Sequence, residues 1–207
     1  MSLRDVVVGQ FQKSHGVAGH IAGWIMAHRP SNRDRNRWTV NLLDIKAHDR
    51  ILEIGCGPGL ALEDCLARAI QGYVVGLDHS QTMLEQARKR NARAVEEGRL
   101  QLRLGRLEEL ESKNEQFDKI FSVNVVQFLD NPATTFQMLS TKLEPGGFLA
   151  TTYMPRDRNP SRSKALVMAQ AVKQYMEEAG FIQIRTDMLP LEPVPAICVI
   201  GKRPCLP

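Results

Sequence analysis

The residues best suited to chemistry stand together early in the chain: Glu53, Gly55, Cys56, Gly57, Pro58 and Gly59. They follow the apolar run Ile51-Leu52 and precede a segment of helical period, Leu60 to Ala69. A buried strand, a tight turn and a helix opening over a ligand account for that order. Glycine at alternate positions lets the backbone turn sharply and lets a ligand approach with no Cβ in the way. The stretch therefore predicts a cofactor that carries a nucleoside.

The spacing narrows the kind of cofactor. A dinucleotide fingerprint wants its third glycine three residues after the second, where this chain has Leu60. Pro58 lacks an N–H, which removes one donor from any cradle for phosphate. Glu53 would set a negative charge beside a negative ligand, whereas an ammonium or sulfonium group reverses the sign. Farther on, Tyr73-Val74-Val75-Gly76-Leu77-Asp78 reads as a second strand ending in an acid. Asp78 lies 19 residues past Gly59, close to the offset at which a carboxylate accepts ribose hydroxyls. The pair predicts a ribose and a cation without phosphates, and S-adenosyl-L-methionine fits that description. A nicotinamide oxidoreductase is a competing reading, disfavoured by Leu60, Pro58 and Glu53.

At these residues the chain resembles the class I S-adenosylmethionine-dependent methyltransferases, of the type that acts on small molecules. Four blocks in order carry the resemblance: Glu53-x-Gly55-x-Gly57-x-Gly59, the strand-end Asp78, Phe117 to Asn124, and Leu143-Glu144-Pro145-Gly146-Gly147-Phe148-Leu149. The third resembles the family's fourth strand, and the last resembles the turn and strand that follow it. The resemblance implies that Glu53 and the segment Gly55, Cys56, Gly57 and Gly59 line the methionine end of the cofactor. It implies that Asp78 accepts from both ribose hydroxyls, with His79 and Met83 near the adenine face or ribose. Arg106 stands where the family often has an acid for the adenine amine, which leaves Leu107 for a backbone contact and Glu108 as a substitute. Asn124, ending the fourth strand, would offer its carbonyl to the methionine ammonium. Cys56 reads as a small filler in the turn rather than a nucleophile.

The acceptor is constrained mainly by what is missing. Enzymes that methylate exocyclic amines of bases resemble one another in an Asn/Asp-Pro-Pro-aromatic turn, and here the run is Asn124-Val125-Val126-Gln127. No Pro-Cys nucleophile stands nearby for pyrimidine C5 chemistry. A small molecule, a lipid or a protein side chain remains, and the apolar N-terminal segment favours a small, lipophilic acceptor. His15, His20, Trp38, Gln127 and Tyr153 are the candidates for the substrate side, with His15 or His20 facing the methyl group. A domain that binds S-adenosylmethionine without turnover is the alternative to an enzyme.

The elements that must position these residues follow from periodicity. Phe11 to Ala27 is an apolar, glycine-dotted helical segment that Pro30 breaks, and Trp38, Leu42 and Ile45 give Arg33 to Ile45 a second helix. These resemble lid helices over the cofactor. Strands are expected at Arg50–Ile54, Tyr73–Leu77, Leu100–Leu104, Lys119–Val123 and Phe148–Tyr153. The helices between them are Leu60–Ala69, Gln81–Glu96 capped by Ser80, and one opening at Asn131-Pro132 and stopped by Pro145-Gly146-Gly147. A helix over Ala165 to Ala179, closed by Gly180, precedes two strand-like runs, Phe181–Met188 and Ala196–Gly201. With no helix between them, those runs pair antiparallel or lie apart. The resemblance implies an α/β, Rossmann-like, doubly wound seven-stranded sheet, mostly parallel with a C-terminal antiparallel hairpin. Residues 1–207 read as a single domain, with N-terminal lid helices over 1–46 and the cofactor-binding core over 47–207.

Composition bounds the rest. The 207 residues suffice for one α/β domain with a full core. Net charge is +4, and two clusters carry much of it: Arg29, Arg33, Arg35 and Arg37, and Arg88, Lys89, Arg90 and Arg93. The second reads as the solvated face of a helix; the first is either that or a contact to an acidic substrate. Only Trp38 lies among the basic residues, which argues against a nucleic-acid groove. Cys56, Cys65, Cys198 and Cys205 lack the spacing of a zinc site or a disulfide framework, so no metal is expected. Neither a transmembrane run nor a signal-peptide core is visible, which makes a cytoplasmic protein the default expectation. Peripheral membrane contact through the apolar N-terminal segment is a further reading, and oligomeric state has no handle in the sequence.

Overall fold

The computed structural model describes residues 30–110 and 114–205. The helix expected over Phe11–Ala27, and with it His15 and His20, lies outside the described residues. Seven strands form one sheet in the order β3-β2-β1-β4-β5-β7-β6. In chain order they are β1 (Arg50–Ile54), β2 (Tyr73–Asp78), β3 (Leu100–Leu104), β4 (Phe117–Val123), β5 (Leu143–Tyr153), β6 (Ile182–Leu189) and β7 (Ala196–Lys202). The first five pair in parallel, while β7 runs antiparallel to both β5 and β6. This is the expected seven-stranded doubly wound sheet with its C-terminal antiparallel hairpin.

Helices cover both faces, so the central strands are buried on both sides and read as nearly continuous apolar runs. Side chains alternate across the sheet. Ile51, Val74, Phe121, Ala150, Cys198 and Ile200 face one way, against α1 (Pro30–Leu42), α2 (Leu60–Arg68) and α3 (Gln81–Arg90). Leu52, Ile54, Val75, Leu77, Ile120, Leu149, Ile197 and Val199 face the other way, against α5 (Pro132–Lys142) and α6 (Arg162–Glu178). The strand order reverses between β1 and β4, and the glycine turn follows β1 at that switch point, where open α/β sheets bind ligands.

Several boundaries differ from the periodicity, each for a local reason. α1 is described over Pro30–Leu42 and ends three residues before the expected Ile45, where Asp44 takes φ +49°. The single helix expected over Gln81–Glu96 is two, α3 and α4 (Ala92–Glu96), divided at Asn91. Asn91 is buried and its Nδ2 donates to the Gly59 carbonyl at 3.1 Å and to the Ala87 carbonyl at 3.0 Å. Beside it Arg90 Nε donates to the Pro58 carbonyl at 3.1 Å. Part of the basic cluster expected on a solvated face thus clamps the glycine turn from behind. Asn131 precedes α5 as expected but makes no side-chain cap bond. Pro145-Gly146-Gly147 does not stop α5, which ends at Lys142; it lies within β5, where the register against β4 shifts between Phe117 and Lys119. The strand bulges there because β5 starts at once from the helix and must make up its register.

α1 is tied down over β5. Thr39 Oγ1 shares a 2.7 Å hydrogen bond with Thr152 Oγ1 and donates back to the Arg35 carbonyl at 2.9 Å. Val40 and Leu43, both buried, complete its packing. The helix therefore covers the carboxyl-terminal part of β5 on the Glu53 face of the sheet.

Candidate functional site

The backbone of the glycine turn is spent inside the protein. The Gly55 and Cys56 amides donate to the Leu77 carbonyl at 2.8 and 3.1 Å, Gly59 donates to the Cys56 carbonyl at 3.0 Å, and Gly57 donates to Asp78 Oδ2 at 2.8 Å. Pro58 has no amide to give. Phosphate cradles work by aiming several free N–H groups at one anion, and here each amide from Gly55 to Gly59 already has its acceptor. The turn is bonded to the end of β2 and leaves its ligand-facing chemistry to side chains.

Two carboxylates supply that chemistry. Asp78 is buried, with Oδ2 accepting from Gly57 and Oδ1 accepting from the Ser80 amide at 2.9 Å. Each carboxylate oxygen has two acceptor positions, so one on each oxygen is left for a ligand hydroxyl. Glu53 is only 3% exposed, and its Oε2 has no hydrogen-bond partner. Burial raises its carboxyl well above the ordinary carboxylate range, and the nearby Asp78 charge adds to the shift. A buried acid without a donor is a costly arrangement that a cation relieves.

The sign of this shift has consequences. A carboxyl with a higher pKa folded than unfolded holds its proton more tightly in the folded state. Stability then falls as pH rises from the ordinary carboxylate value through the raised one. Glu53→Gln is expected to abolish that part of the pH dependence, and above the raised pKa to make ligand-free protein more stable by about 1 kcal/mol. Thermal unfolding across pH checks this. A cationic ligand favours the ionised acid, so within the same interval its binding releases a proton and tightens with rising pH. Calorimetry in two buffers of different ionisation enthalpy measures that release, which Glu53→Gln should remove.

The remaining expected residues are placed unequally. Gly55 has φ +68°, and a Cβ there would stand 2.5 Å from Val125 Cγ2, so the turn presses against the loop after β4. Gly59, at φ +77°, is pressed against α3, with Asn91 Nδ2 2.7 Å from where its Cβ would be. A Cβ on Gly57 would meet nothing within 4 Å, which leaves open space on the ligand side. The Cys56 side chain is buried in the core behind the turn, beside Gly76, and burial, Glu53 and Asp78 all push its thiol up. His79 is exposed, with Nδ1 3.7 Å from Asp78 Oδ1. Met83 is half-buried at the start of α3. Arg106 is exposed, and its amide is bonded by Glu109 at 2.8 Å. Glu108 is exposed too. Leu107 borders a cleft of about 490 Å³ shared with Arg106, Asp130, Asn131 and Met138.

At the end of β4, Asn124 adopts φ +58°, unusual for a residue with a side chain. Three bonds hold it there. Its amide donates to the Thr152 carbonyl at 2.8 Å, its Oδ1 accepts from the Met154 amide at 2.8 Å, and its carbonyl accepts from Gln127 Nε2 at 2.9 Å. One lone pair of that carbonyl is thus taken by Gln127, whose own Oε1 is buried without a partner. Trp38, on α1, packs against Met154, Val194 and Ala196. Tyr153 packs on the opposite face of the sheet, against the α5–α6 core. It is therefore not brought together with Glu53, Trp38 and Asn124. Periodicity gave no sign of Val125, Asn91 or Arg35, a buried arginine of α1 that donates to Met154 Sδ at 3.4 Å. Among the described residues no group of three or more His, Cys, Asp or Glu is placed to hold a metal ion, and no helix is long and apolar enough to cross a membrane.

The chain is similar to known proteins. A family model described as a methyltransferase domain matches residues 52–151. The uncharacterized methyltransferase YdaC of Bacillus subtilis (strain 168) is 32% identical over 184 residues, covering 89% of this chain and 98% of that protein. Trans-aconitate 2-methyltransferase of Variovorax paradoxus (strain S110) is 29% identical over 69% of this chain, which spans about half, 52%, of that enzyme. Among solved structures, the N-methyltransferase NodS from Bradyrhizobium japonicum WM9 in complex with S-adenosyl-L-homocysteine superposes with a TM-score of 0.70. It covers 87% of this chain and 91% of that one at 17% identity, a likeness of fold.

Proposed function

The chain belongs to the class I S-adenosylmethionine-dependent methyltransferases, and on that premise we propose that it methylates a small-molecule or lipophilic acceptor. The observation that carries the cofactor side of this reading is the unpartnered Glu53 carboxylate beside a turn with no amide to spare for phosphate. On this reading Glu53 meets the positive end of the cofactor, and Asp78 accepts from the ribose hydroxyls with its two remaining acceptor positions. Gly55, Gly57 and Gly59 bring the backbone close, and Leu107 supplies a main-chain contact beside the adenine. His79 and Met83 border the ribose. Cys56 shapes the turn, its backbone bonded to Leu77 and Gly59 and its side chain turned into the core.

S-adenosylmethionine supplies a methyl group on a positive sulfur, already activated for in-line displacement. What this chain must add is position and dryness. α1 lies over the carboxyl ends of β4 and β5 through Thr39 and Trp38, where it would shield an acceptor from water. Gln127 Oε1, buried and unpartnered, is suited to accept a hydrogen bond from an acceptor hydroxyl or amine. Asn124 holds Gln127 in place through its carbonyl. A general base is required only if the accepting atom must lose a proton. A relative that acts on trans-aconitate, a small acid, supports a small-molecule acceptor here.

Calorimetry with S-adenosylmethionine and with NAD tests the first half of the proposal. The first ligand should bind and the second should not, and absence of S-adenosylmethionine binding at millimolar concentration overturns it. Release of S-adenosylhomocysteine on adding a panel of small acids, amines, phenols and lipophilic hydroxyl compounds tests the second half. Turnover confined to nucleic acid or protein would overturn the small-molecule reading.

A further inference from the structure

Arg35 is a charged residue in a place where charge is not matched. It sits in the middle of α1, 3% exposed, over the end of β5. Its Nη1 reaches Met154 Sδ at 3.4 Å and its Nη2 donates to Asn32 Oδ1, both neutral groups, while Nε has no partner. No carboxylate among the described residues lies within ion-pair distance of it. Burial, followed by repulsion from Arg156 just beyond β5, lowers its guanidinium to about 9, far below the usual arginine value. A cation is not ordinarily removed from water without a compensating anion.

The position of this cation is informative. Thr39, one turn along the same helix, is bonded to Thr152 of β5, and Met154 is held by Asn124 at the end of β4. Thr152 and Glu53 lie on the same face of the sheet, since Glu53 pairs with Phe121 and Phe121 with Ala150. β1 and β5 are two strand spacings apart, roughly 10 Å. Arg35 therefore lies across the carboxyl ends of β4 and β5 from the cofactor's carboxylates, on the acceptor side. Among the described residues, neither the buried acid at β1 nor the buried arginine over β5 has an ion-pair partner.

We infer that the Arg35 guanidinium receives an anionic group, a carboxylate or a phosphate, carried by the methyl acceptor. This rests on the methyltransferase reading of the same site. A guanidinium meets either group with two parallel N–H bonds, and its unpartnered Nε lies on the edge such groups approach side-on. Among the described residues an incoming anion displaces two neutral contacts, and the nearby Arg156 adds a second positive charge. In a site shielded from water the pair is stronger than on the surface.

The test uses the full chain saturated with S-adenosylhomocysteine and titrated with inorganic phosphate, succinate and the neutral succinamide at fixed chloride. Phosphate or succinate should bind, succinamide should not, and Arg35→Met should weaken the anion at least tenfold. Arg35→Lys, which keeps the charge but loses the fork, should fall between. A preference for phosphate or for succinate assigns the phosphoryl or the carboxylate form. A second readout separates this role from a structural one: ligand-free Arg35→Met should melt at a higher temperature than wild type, because an unmatched buried charge is gone. Equal anion binding by wild type and Arg35→Met, or no anion binding at all while S-adenosylhomocysteine binds, overturns the inference. So does a lower melting temperature of ligand-free Arg35→Met. Failure of S-adenosylhomocysteine itself to bind overturns the proposed function instead, and this inference with it.

Discussion

Asp78→Ala is expected to weaken S-adenosylmethionine binding by about 100-fold or more. Two hydrogen bonds from ribose hydroxyls to a carboxylate contribute on the order of 3 kcal/mol together, and about 1.4 kcal/mol corresponds to a factor of ten. The loss does not end at the ligand. Asp78 also accepts from the Gly57 and Ser80 amides, so alanine frees the glycine turn from the end of β2 and leaves two donors wanting. A destabilisation of roughly 1–3 kcal/mol accompanies the binding defect. Asp78→Asn separates the two effects. Its amide keeps one acceptor oxygen for one of these donors but turns an NH2 toward the other, so binding should suffer while stability falls less. Calorimetry for affinity and thermal unfolding for stability read the two independently. A change in affinity of less than tenfold for Asp78→Ala would remove the ribose assignment.

Gly55→Ala is expected to be the most destabilising single methyl in the site. The backbone there has φ +68°, and the new Cβ would stand 2.5 Å from Val125 Cγ2. The left-handed conformation costs a residue with a Cβ about 1–2 kcal/mol, and a forced overlap in a packed region adds about 1–3 kcal/mol. The melting temperature should fall by roughly 5–10 °C for a domain of this size. The two contributions can be divided. Val125→Ala in the same chain removes the clash and leaves the backbone cost, so the double variant should recover part of the loss but not all. A double-mutant cycle on thermal or urea unfolding gives the interaction energy. Full additivity would mean that Gly55 and Val125 do not press on each other. Since Val125 follows the strand that ends in Asn124, the clash should also loosen the acceptor side.

Much of the fold was legible from local patterning. The buried runs at Arg50–Ile54 and Tyr73–Leu77, the Ser80 cap, the proline at the head of α5 and the glycine after α6 depend only on residues a few positions apart. The helix between Gln81 and Glu96 was not legible in full. Asn91 falls within a helical pattern and reveals its role only when the Gly59 carbonyl, from another element, is brought against it. The same holds for Pro145-Gly146-Gly147. As a string it looks like a helix stop, and only the pairing of β5 with β4 makes it a bulge. Tyr153 was a reasonable acceptor-side candidate by its place at a strand end. The pleat put it on the far face, because strand side chains alternate and the register of β5 was not known in advance.

By itself the sequence determined the kind of cofactor. Glycine spacing, a proline without an N–H, an acid before the turn and an acid after the next strand are local choices of charge and donor count, and they exclude phosphate without any coordinates. Tertiary structure alone decided which of these groups remain available to a ligand. The turn's amides are consumed by Leu77, Cys56 and Asp78, whereas Glu53 is left buried with no donor. Arg35 is the sharper case. In the sequence it is one of several arginines in a basic stretch, indistinguishable from Arg33 and Arg37. Its neighbour Met154 lies 119 residues away, and Thr152, which holds the helix over it, lies 113 residues from Thr39. A sequence displays a charge but not its removal from water, and that removal is what turns an ordinary arginine into a site.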